Sequence, residues 1–386
     1  MYISDKSREH CCGCTACMSI CPHGAIQMNK DDMGFAYPVV DNSICTHCGL
    51  CEKVCSFHPN YDVSTNFNKS EAYGARHKNL DEVMTSRSGA AFVALSDWIL
   101  EQGGLVYGAS YNEKFEVFHR CARNGQERNC FKESKYVQSD LGNVFSQIKH
   151  DLKSGRRVLF TGTPCQTSGL RSFIGSCNAK NLYLIDIVCH GVPSPNVWRD
   201  YLQYITKKYN EFPVKVSFRD KSDYGWATHK ESFTFTNKKI YRYTYTYLFY
   251  EHIMFRPSCG VCPFSNYNRP SDITLADFWG WERYNASINA DNKGVSLLLI
   301  NTPKGKELFE NIRHQLQSFQ ISLDTYTQPN LRMPSQLHPL SNKFEEDYIR
   351  RGFQYVIKRY SDAGILYWIK RITQKSKTLI KILRNK

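Results

Sequence analysis

The sequence has 386 residues, of which 41% are hydrophobic and 22% charged, with 16 cysteines and a net charge of +14. This length predicts two or three domains with a core that needs no disulfide bonds, and the longest apolar runs are far shorter than the roughly 18 residues of a membrane-spanning helix. We expect no secretory signal, because the N-terminus is polar. We also expect no nucleic-acid partner, because most of the positive charge is confined to a tail: residues 348–386 hold eleven Lys and Arg residues but one acidic residue.

The first predicted element is a cysteine-dense module over residues 1–60, which holds nine of the 16 cysteines. Inside a cell, where thiols stay reduced, such a density indicates metal binding. Two runs have the C-x2-C-x2-C-x3-C spacing of bacterial ferredoxins, in which the fourth cysteine of each run ligates the other cluster. Paired zinc sites are the alternative, although they usually join two separate C-x2-C pairs across a longer loop. We therefore predict two 4Fe–4S clusters, one on Cys11, Cys14, Cys17 and Cys55 and one on Cys21, Cys45, Cys48 and Cys51, with Cys12 left over.

A polar linker is predicted over residues 61–70, and a larger domain over residues 71–340. Within it, a helix is expected over residues 87–102, and short apolar strands are expected over residues 157–161, 182–188 and 295–300, each followed by a helix. This alternation predicts an α/β domain with a mainly parallel sheet. Residues 230–247 alternate polar and apolar side chains, which predicts a hairpin with a turn near Asn237, and the tyrosines of residues 241–250 are expected on one face of it.

Four further cysteines stand in motif-like surroundings. Cys165 follows a strand and a Gly-Thr-Pro turn, Cys189 follows another strand, and Cys259 and Cys262 form a C-x2-C pair. Ligands of open α/β sheets gather at the carboxyl ends of strands, where Cys165 and Cys189 would both lie. These four thiols could hold a third 4Fe–4S cluster, with a zinc ion or plain buried cysteines as alternatives. His190 beside Cys189 is a candidate proton donor or hydrogen-bond partner, and residues 219–221 form a charge cluster that could bind an anionic cofactor.

The last predicted element is a basic, amphipathic helical tail over residues 341–386. Apolar residues recur in it at helical spacing, from Ile349 to Leu383, with Lys and Arg between them. Such helices are typical of peripheral membrane anchors, and packing on the protein or on a partner is the alternative. The whole chain is thus of class α+β or α/β, with a bacterial-type dicluster ferredoxin domain, a larger α/β domain and this tail.

Together these motifs resemble the beta-subunit family of coenzyme F(420) hydrogenases and dehydrogenases, in the form with an N-terminal dicluster ferredoxin. The resemblance runs over about residues 8–300. Besides the ferredoxin module it rests on SRSGAAFVAL at 86–95, SKYVQSDLG at 134–142, VLFTGTPCQTSGL at 158–170, DIVCHGVPSPNVW at 186–198, FRDK at 218–221, CGVCPF at 259–264 and SDITLADFWG at 271–280.

The resemblance implies that the larger α/β domain is a flavin-binding domain, and that the protein is an iron–sulfur flavoprotein that holds FAD beside an iron–sulfur cluster. It implies that Cys165, Cys189, Cys259 and Cys262 hold this cluster, and that the loop of Ser86, Arg87, Ser88 and Gly89 lies against FAD. A small-residue loop that opens a helix can offer free backbone N–H groups to a pyrophosphate. Lys135, Thr163 and Asp277 are further candidates for contacts with the flavin, and His190, Lys135 and Asp277 are the candidate catalytic residues.

The expected function is an oxidoreductase that relays electrons between a ferredoxin-type donor, the clusters, FAD and an organic substrate. Bacterial relatives suggest a sugar or lipid-linked sugar of surface-polysaccharide synthesis as substrate. A deazaflavin F(420) oxidoreductase subunit and a non-enzymatic electron-transfer adaptor are the alternatives. We expect a cytoplasmic protein of an anaerobe, with peripheral contact to the inner membrane face through its tail.

Overall fold

The computed structural model describes residues 5–59, 69–176, 179–323 and 328–364, together with residues 3, 61 and 367. The cysteine-dense module consists of two short helices and one antiparallel hairpin. Its elements are α1 (Ala16–Ile20), β1 (Ile26–Lys30), β2 (Ala36–Val40) and α2 (Leu50–Lys53). The predicted linker falls almost entirely outside the described residues.

Eight strands of the described chain form one mixed sheet, and three more form a small antiparallel sheet. In chain order the strands are β3 (Glu71–His77), β4 (Leu105–Tyr111), β5 (Val117–Ala122), β6 (Val158–Gly162), β7 (Leu182–Ile187), β8 (Lys215–Ser217), β9 (Glu231–Thr234), β10 (Lys239–Arg242), β11 (Ile273–Asp277), β12 (Ser296–Ile300) and β13 (Leu316–Ile321). The small sheet has the order β10-β9-β8.

The large sheet has the order β13-β3-β12-β11-β7-β6-β4-β5. Only the central neighbours β11, β7, β6 and β4 pair in parallel, and every other pair is antiparallel. The predicted mainly parallel sheet is therefore wrong. The misleading signal is β12, which is buried along its whole length and so has the continuous apolar sequence that parallel strands usually show.

Helices cover both faces of the large sheet. The described helices after the cysteine-dense module are α3 (Leu80–Thr85), α4 (Ala91–Glu101), α5 (Gly125–Arg128), α6 (Val144–Lys153), α7 (Pro164–Ile174), α8 (Pro195–Tyr209), α9 (Thr244–Tyr250), α10 (Pro303–Ile312), α11 (Ser341–Arg351) and α12 (Phe353–Tyr360). Helices α4 and α10 pack on one face, against Leu159 and Ile185, whereas α6 and α7 pack on the other, against Val158 and Phe160. This arrangement places the first turn of α7 at the carboxyl edge of the parallel strands.

One helix boundary and one element differ from the sequence-based expectation. Helix α4 begins at Ala91, later than predicted, because Ala90 has a left-handed backbone with φ of +61°. The hairpin of β9 and β10 is confirmed, but residues 244–250 form a helix where we expected a strand. The buried carboxylate of Glu231 accepts hydrogen bonds from the N–H groups of Tyr245 and Thr246, which caps this helix.

The first part of the predicted tail packs on the protein. Phe344, Val356 and Ile357 are buried in the same core cluster as α8, and the ring of Phe353 lies 6.1 Å from that of Tyr201. Over these residues the apolar face is thus covered by the larger domain. The apolar positions from residue 365 to 383 lie outside the described residues. No helix in the described ranges is long and apolar enough to cross a membrane.

Candidate iron–sulfur sites and cofactor site

The structure brings Cys11, Cys14, Cys17 and Cys55 together, the four cysteines of the first predicted cluster. Burial, followed by the neighbouring thiols of Cys14, Cys11 and Cys55, raises the pKa of Cys17. Helix α1 starts just before Cys17, so the turn that places Cys14 and the helix that places Cys17 are consecutive. We call this set the inner site, because it faces the larger domain.

The other four predicted ligands, Cys21, Cys45, Cys48 and Cys51, line one pocket. This set includes Cys21 from the first run, as the ferredoxin spacing predicted for the exchanged fourth ligand. Cys48 is exposed, as are its neighbours Thr46 and His47. We call this set the outer site, and its ligand assignment, like that of the inner site, stays a prediction.

The third cysteine set lines a pocket at the carboxyl edge of the large sheet. Cys165 lies in the first turn of α7, which follows β6, and Cys189 lies two residues beyond the parallel neighbour β7. Cys259 and Cys262 come from a 3-10 turn that crosses this edge. The sequence predicted Cys165 and Cys189 at this edge and grouped the C-x2-C pair with them. We call these four cysteines the third site, and their role as ligands stays a prediction.

The donor set of the third site fits an iron–sulfur cluster. Five thiols line the cavity, those of the four predicted ligands and that of Cys12, and the N–H of Val192 donates a hydrogen bond to Sγ of Cys259 over 3.3 Å. Burial raises the pKa of Cys189 and Cys259, so these groups become thiolates only beside a cation. Among the described residues, no three His, Cys, Asp or Glu side chains form a group that could hold a single metal ion.

Helix α7 joins the inner site to the third site. Cys12, which the spacing left over, lines the third cavity and is hydrogen-bonded to both Cys14 and Cys165. Gly169 packs so closely on Cys14 that a Cβ atom there would lie 2.7 Å from Sγ of Cys14. The two sites are therefore direct neighbours, with no structural layer between them.

Thr163, a predicted cofactor residue, has a structural role at the start of α7. It is the N-cap residue and forms a capping box with Gln166. Its hydroxyl also lies 3.2 Å from Sγ of Cys165. These contacts orient Cys165 and leave the assignment of Thr163 to a flavin untested.

Arg269 holds two of the ligand-bearing segments of the third site together. Its guanidinium donates to the carbonyl of Phe264 over 2.5 Å and to the carbonyl of Ile187 over 2.9 Å. It also pairs with the fully buried Asp186 over 3.1 Å. Phe264 follows Cys262 and Ile187 precedes Cys189, so one side chain fixes the distance between these cysteines.

A second polar group lies around Asp277, at the end of β11. Its carboxylate pairs with Arg219, accepts a hydrogen bond from Ser88 and lies 3.9 Å from Nε of Arg87. Burial alone would raise the pKa of Asp277, but Arg219, Arg87 and Ser88 outweigh it and hold this pKa below its usual value. Asp277 is therefore ionised, and we call these residues the Asp277 group.

Aromatic side chains connect the third site to the Asp277 group. The ring of His190 lies 6.0 Å from that of Tyr250, whose hydroxyl is hydrogen-bonded to His229. The ring of His229 lies 6.2 Å from Trp279, which stacks below the guanidinium of Arg219 at 5.0 Å. Burial lowers the pKa of His229 to about 4, so this ring is neutral at neutral pH.

Two predicted cofactor residues face elsewhere. The backbone N–H of Gly89 is not free as expected, because it donates a hydrogen bond to Oγ of Ser296. Gly89 also packs tightly on β3, since a Cβ atom at this position would lie 2.4 Å from a carbonyl oxygen of that strand. Lys135 donates to the carbonyls of Lys132 and Glu133, and its ammonium lies over the ring of Tyr111. Burial lowers the pKa of Lys135 to about 8.

Sequence reasoning missed three cations that contact or fix the cysteine sites: Lys6, Arg256 and Arg269. The contacts of Arg256 join residues 245 positions apart in the chain, and those of Lys6 join residues 49 apart. No local pattern can show such pairs. The position of Arg256, three residues before Cys259, is the only sequence signal of a role at these sites.

Comparisons with known proteins find similarity in both parts of the chain. Residues 155–322 match the family described as the C terminus of the beta subunit of coenzyme F(420) hydrogenase/dehydrogenase, and residues 10–58 match the 4Fe-4S dicluster domain. A subunit of the F(420)H(2) dehydrogenase of Methanosarcina mazei is 20% identical over 367 residues, which cover 92% of this chain and 95% of that protein.

Among solved structures, a chain of the F(420)-reducing NiFe hydrogenase complex from Methanosarcina barkeri is similar. Its TM-score is 0.47 at 16% identity, and the match covers 77% of this chain and 94% of the other. Residues 155–322 therefore resemble the beta-subunit family of coenzyme F(420) hydrogenases and dehydrogenases, and a 4Fe–4S dicluster domain precedes them, as the motifs predicted.

Proposed function

We propose that this protein is an iron–sulfur flavoprotein that exchanges electrons between a ferredoxin-like protein and an organic substrate. The observation that supports it is the continuous series of sites: the exposed outer site, the inner site, the third site in contact with it, and the Asp277 group beyond. Iron–sulfur clusters supply one-electron transfer when bound, and a flavin couples it to two-electron chemistry.

In this proposal the twelve predicted cysteines hold three 4Fe–4S clusters. The chain contributes the thiol ligands, excludes water from the sites and fixes the distances between the ligands. Thr163 orients Cys165, Arg269 fixes Cys189 relative to Cys262, and Gly169 allows α7 to approach the inner site. His190, whose ring faces Tyr250, lies between the third site and the Asp277 group and is a candidate to contact substrate.

We place FAD at the Asp277 group. Nε of Arg87 and one terminal nitrogen of Arg219 are buried and have no hydrogen-bond partner in the described structure, so two donors remain for an anion such as a phosphate. Trp279 and His229 offer ring faces beside them. Lys221 contacts the loop of residues 86–89 by donating to the carbonyls of Arg87 and Ser88 over 3.5 Å, and it also donates to the carbonyl of Val83 over 2.6 Å.

An F(420) oxidoreductase subunit is the second candidate, and the relative from Methanosarcina mazei favours it because that protein is named as a dehydrogenase subunit. In this case the chain acts within a larger complex with protein partners. A sugar or lipid-linked sugar substrate, with contact to a membrane surface through the tail, belongs to the first candidate. Anaerobic incubation of the reduced protein with oxidised F(420) separates the two, since only the second predicts bleaching.

The Asp277→Asn variant tests the cofactor site. Without the carboxylate, Arg87 and Arg219 are two buried guanidinium groups with no counter-charge, so we expect the loop to shift and bound FAD to fall at least tenfold. The measurement is FAD released per chain from protein purified without oxygen. Asp97→Asn is the matched control, because Asp97 also pairs with an arginine, Arg128, on the far side of α4.

Equal FAD in the two variants would contradict the assignment to the Asp277 group. Wild-type protein that retains no FAD after supply of the cofactor during purification would contradict the flavoprotein proposal itself. Both variants are compared at equal iron content, so that a loss of clusters is not mistaken for a loss of flavin.

A further inference from the structure

Two cations contact sulfur atoms of the inner site. Nζ of Lys6 donates a hydrogen bond to Sγ of Cys55 over 2.7 Å, and a terminal nitrogen of Arg256 donates to Sγ of Cys11 over 3.7 Å. Arg256 is fully buried and Lys6 is partly buried. Both positive charges therefore act on the inner site with little screening by water.

Arg256 is held rigidly in this position. Its guanidinium also donates to the carbonyl oxygens of Cys11 and Ala36, over 2.7 and 2.9 Å, and to the side-chain amide oxygen of Gln138 over 3.0 Å. It stacks on the ring of Tyr37 at 4.1 Å. The charge thus stays beside Cys11, while the backbone of Arg256 leads directly to Cys259 of the third site.

The outer site has a different environment. Among the described residues, no Lys or Arg side chain lines its cavity, whereas the carboxylate-bearing Glu52 does. Cys48 is exposed to water, which screens charges. His23 and His47 also line the cavity.

We infer that Lys6 and Arg256 give the inner site a higher reduction potential than the outer site. Reduction adds one negative charge, and hydrogen bonds and positive charges at the cluster sulfurs favour the more negative state. One electron that enters at the exposed outer site is then held preferentially at the inner site, next to the third site, and no bond is formed or broken. This inference depends on the proposed function, because it requires a cluster at both sites.

The test is a redox titration of the full-length holoprotein at about pH 8, followed by electron paramagnetic resonance. The component missing from the Cys189→Ala variant is assigned to the third site. The two remaining components belong to the inner and outer sites, and the inference assigns the higher potential to the inner site. Lys6→Gln removes a positive charge from the inner site, so it should lower the potential of that component. We expect the reduction equilibrium to change about tenfold, which corresponds to about 59 mV for one electron.

Lys53→Gln is the matched control, because Lys53 is an exposed lysine of the same module, and it should leave both potentials unchanged. A shift of the lower-potential component in Lys6→Gln, or equal shifts in the two variants, would overturn the inference. If Lys6→Gln loses iron, Lys6→Arg, which keeps the charge, should restore the wild-type potentials. Wild-type protein without two ferredoxin-type components would instead contradict the proposed function.

Discussion

Arg269→Met is expected to lower the free energy of unfolding by about 3 kcal/mol and to release the iron of the third site. Removing one partner of a buried ion pair leaves the other charge without compensation, here the fully buried Asp186. The carbonyls of Phe264 and Ile187 lose their shared donor at the same time. Anaerobic denaturant unfolding and iron analysis measure the two effects.

The double variant Arg269→Met/Asp186→Leu separates stability from positioning. Replacing a whole buried pair by apolar side chains is often neutral, so stability should return. Cys189 and Cys262 would still lack the side chain that fixes their spacing, so the iron of the third site should remain low. Full recovery of iron in the double variant would show that Arg269 does not position these ligands.

The pH dependence of the single variant has a defined sign. Burial already raises the pKa of Asp186 above its usual value, against the effect of Arg269. Without Arg269 this pKa rises further, and a buried acid with a raised pKa destabilises the fold once the pH exceeds its pKa in the unfolded chain. The stability deficit of Arg269→Met should therefore grow from acidic to neutral pH.

Cys189→Ala is expected to remove about four irons per chain and to leave about eight, since one 4Fe–4S cluster has four irons. Cys189 supplies one of four thiols at the third site, and neither ferredoxin-type site includes it. Iron and acid-labile sulfide analysis on anaerobic protein measures the loss.

The control for Cys189→Ala is Cys130→Ala, which removes an exposed cysteine away from the three sites and should retain all iron. If Cys189→Ala kept the wild-type iron content but lost one zinc ion, the third site would be a zinc site. If it lost neither metal, Cys189 would not be a ligand.

Local spacing and one general rule of α/β sheets were enough to predict where the cysteines meet. The ferredoxin runs lie within eleven residues each, so their turns are encoded by neighbours in sequence. Cys165 and Cys189 could be placed together because both follow parallel strands, whose carboxyl ends lie at one edge. The alternation of β6, α7, β7 and α8 was also predictable, because each short apolar strand is followed directly by a helical pattern in the sequence.

The rest depended on contacts between distant segments. The strand order could not be predicted from the sequence. Strands β3 and β12 are buried over almost their whole length, so their apolar sequences do not show whether they pair in parallel or antiparallel. Residues 244–250 form a helix whose first turn donates a hydrogen bond to the carboxylate of Glu231, a residue of β9 that no local pattern connects to them. Arg256 and Arg269 are ordinary arginines in the sequence, and only the fold places them beside the cysteines.

The central claim is that the chain holds three iron–sulfur clusters and one flavin. We would measure iron, acid-labile sulfide and released flavin per chain on protein purified without oxygen. The account predicts about twelve irons, about twelve sulfides and one FAD, because three cysteine sets each fit a 4Fe–4S cluster. About eight irons without flavin would contradict it, and would make the protein a dicluster electron carrier joined to a domain without a redox centre.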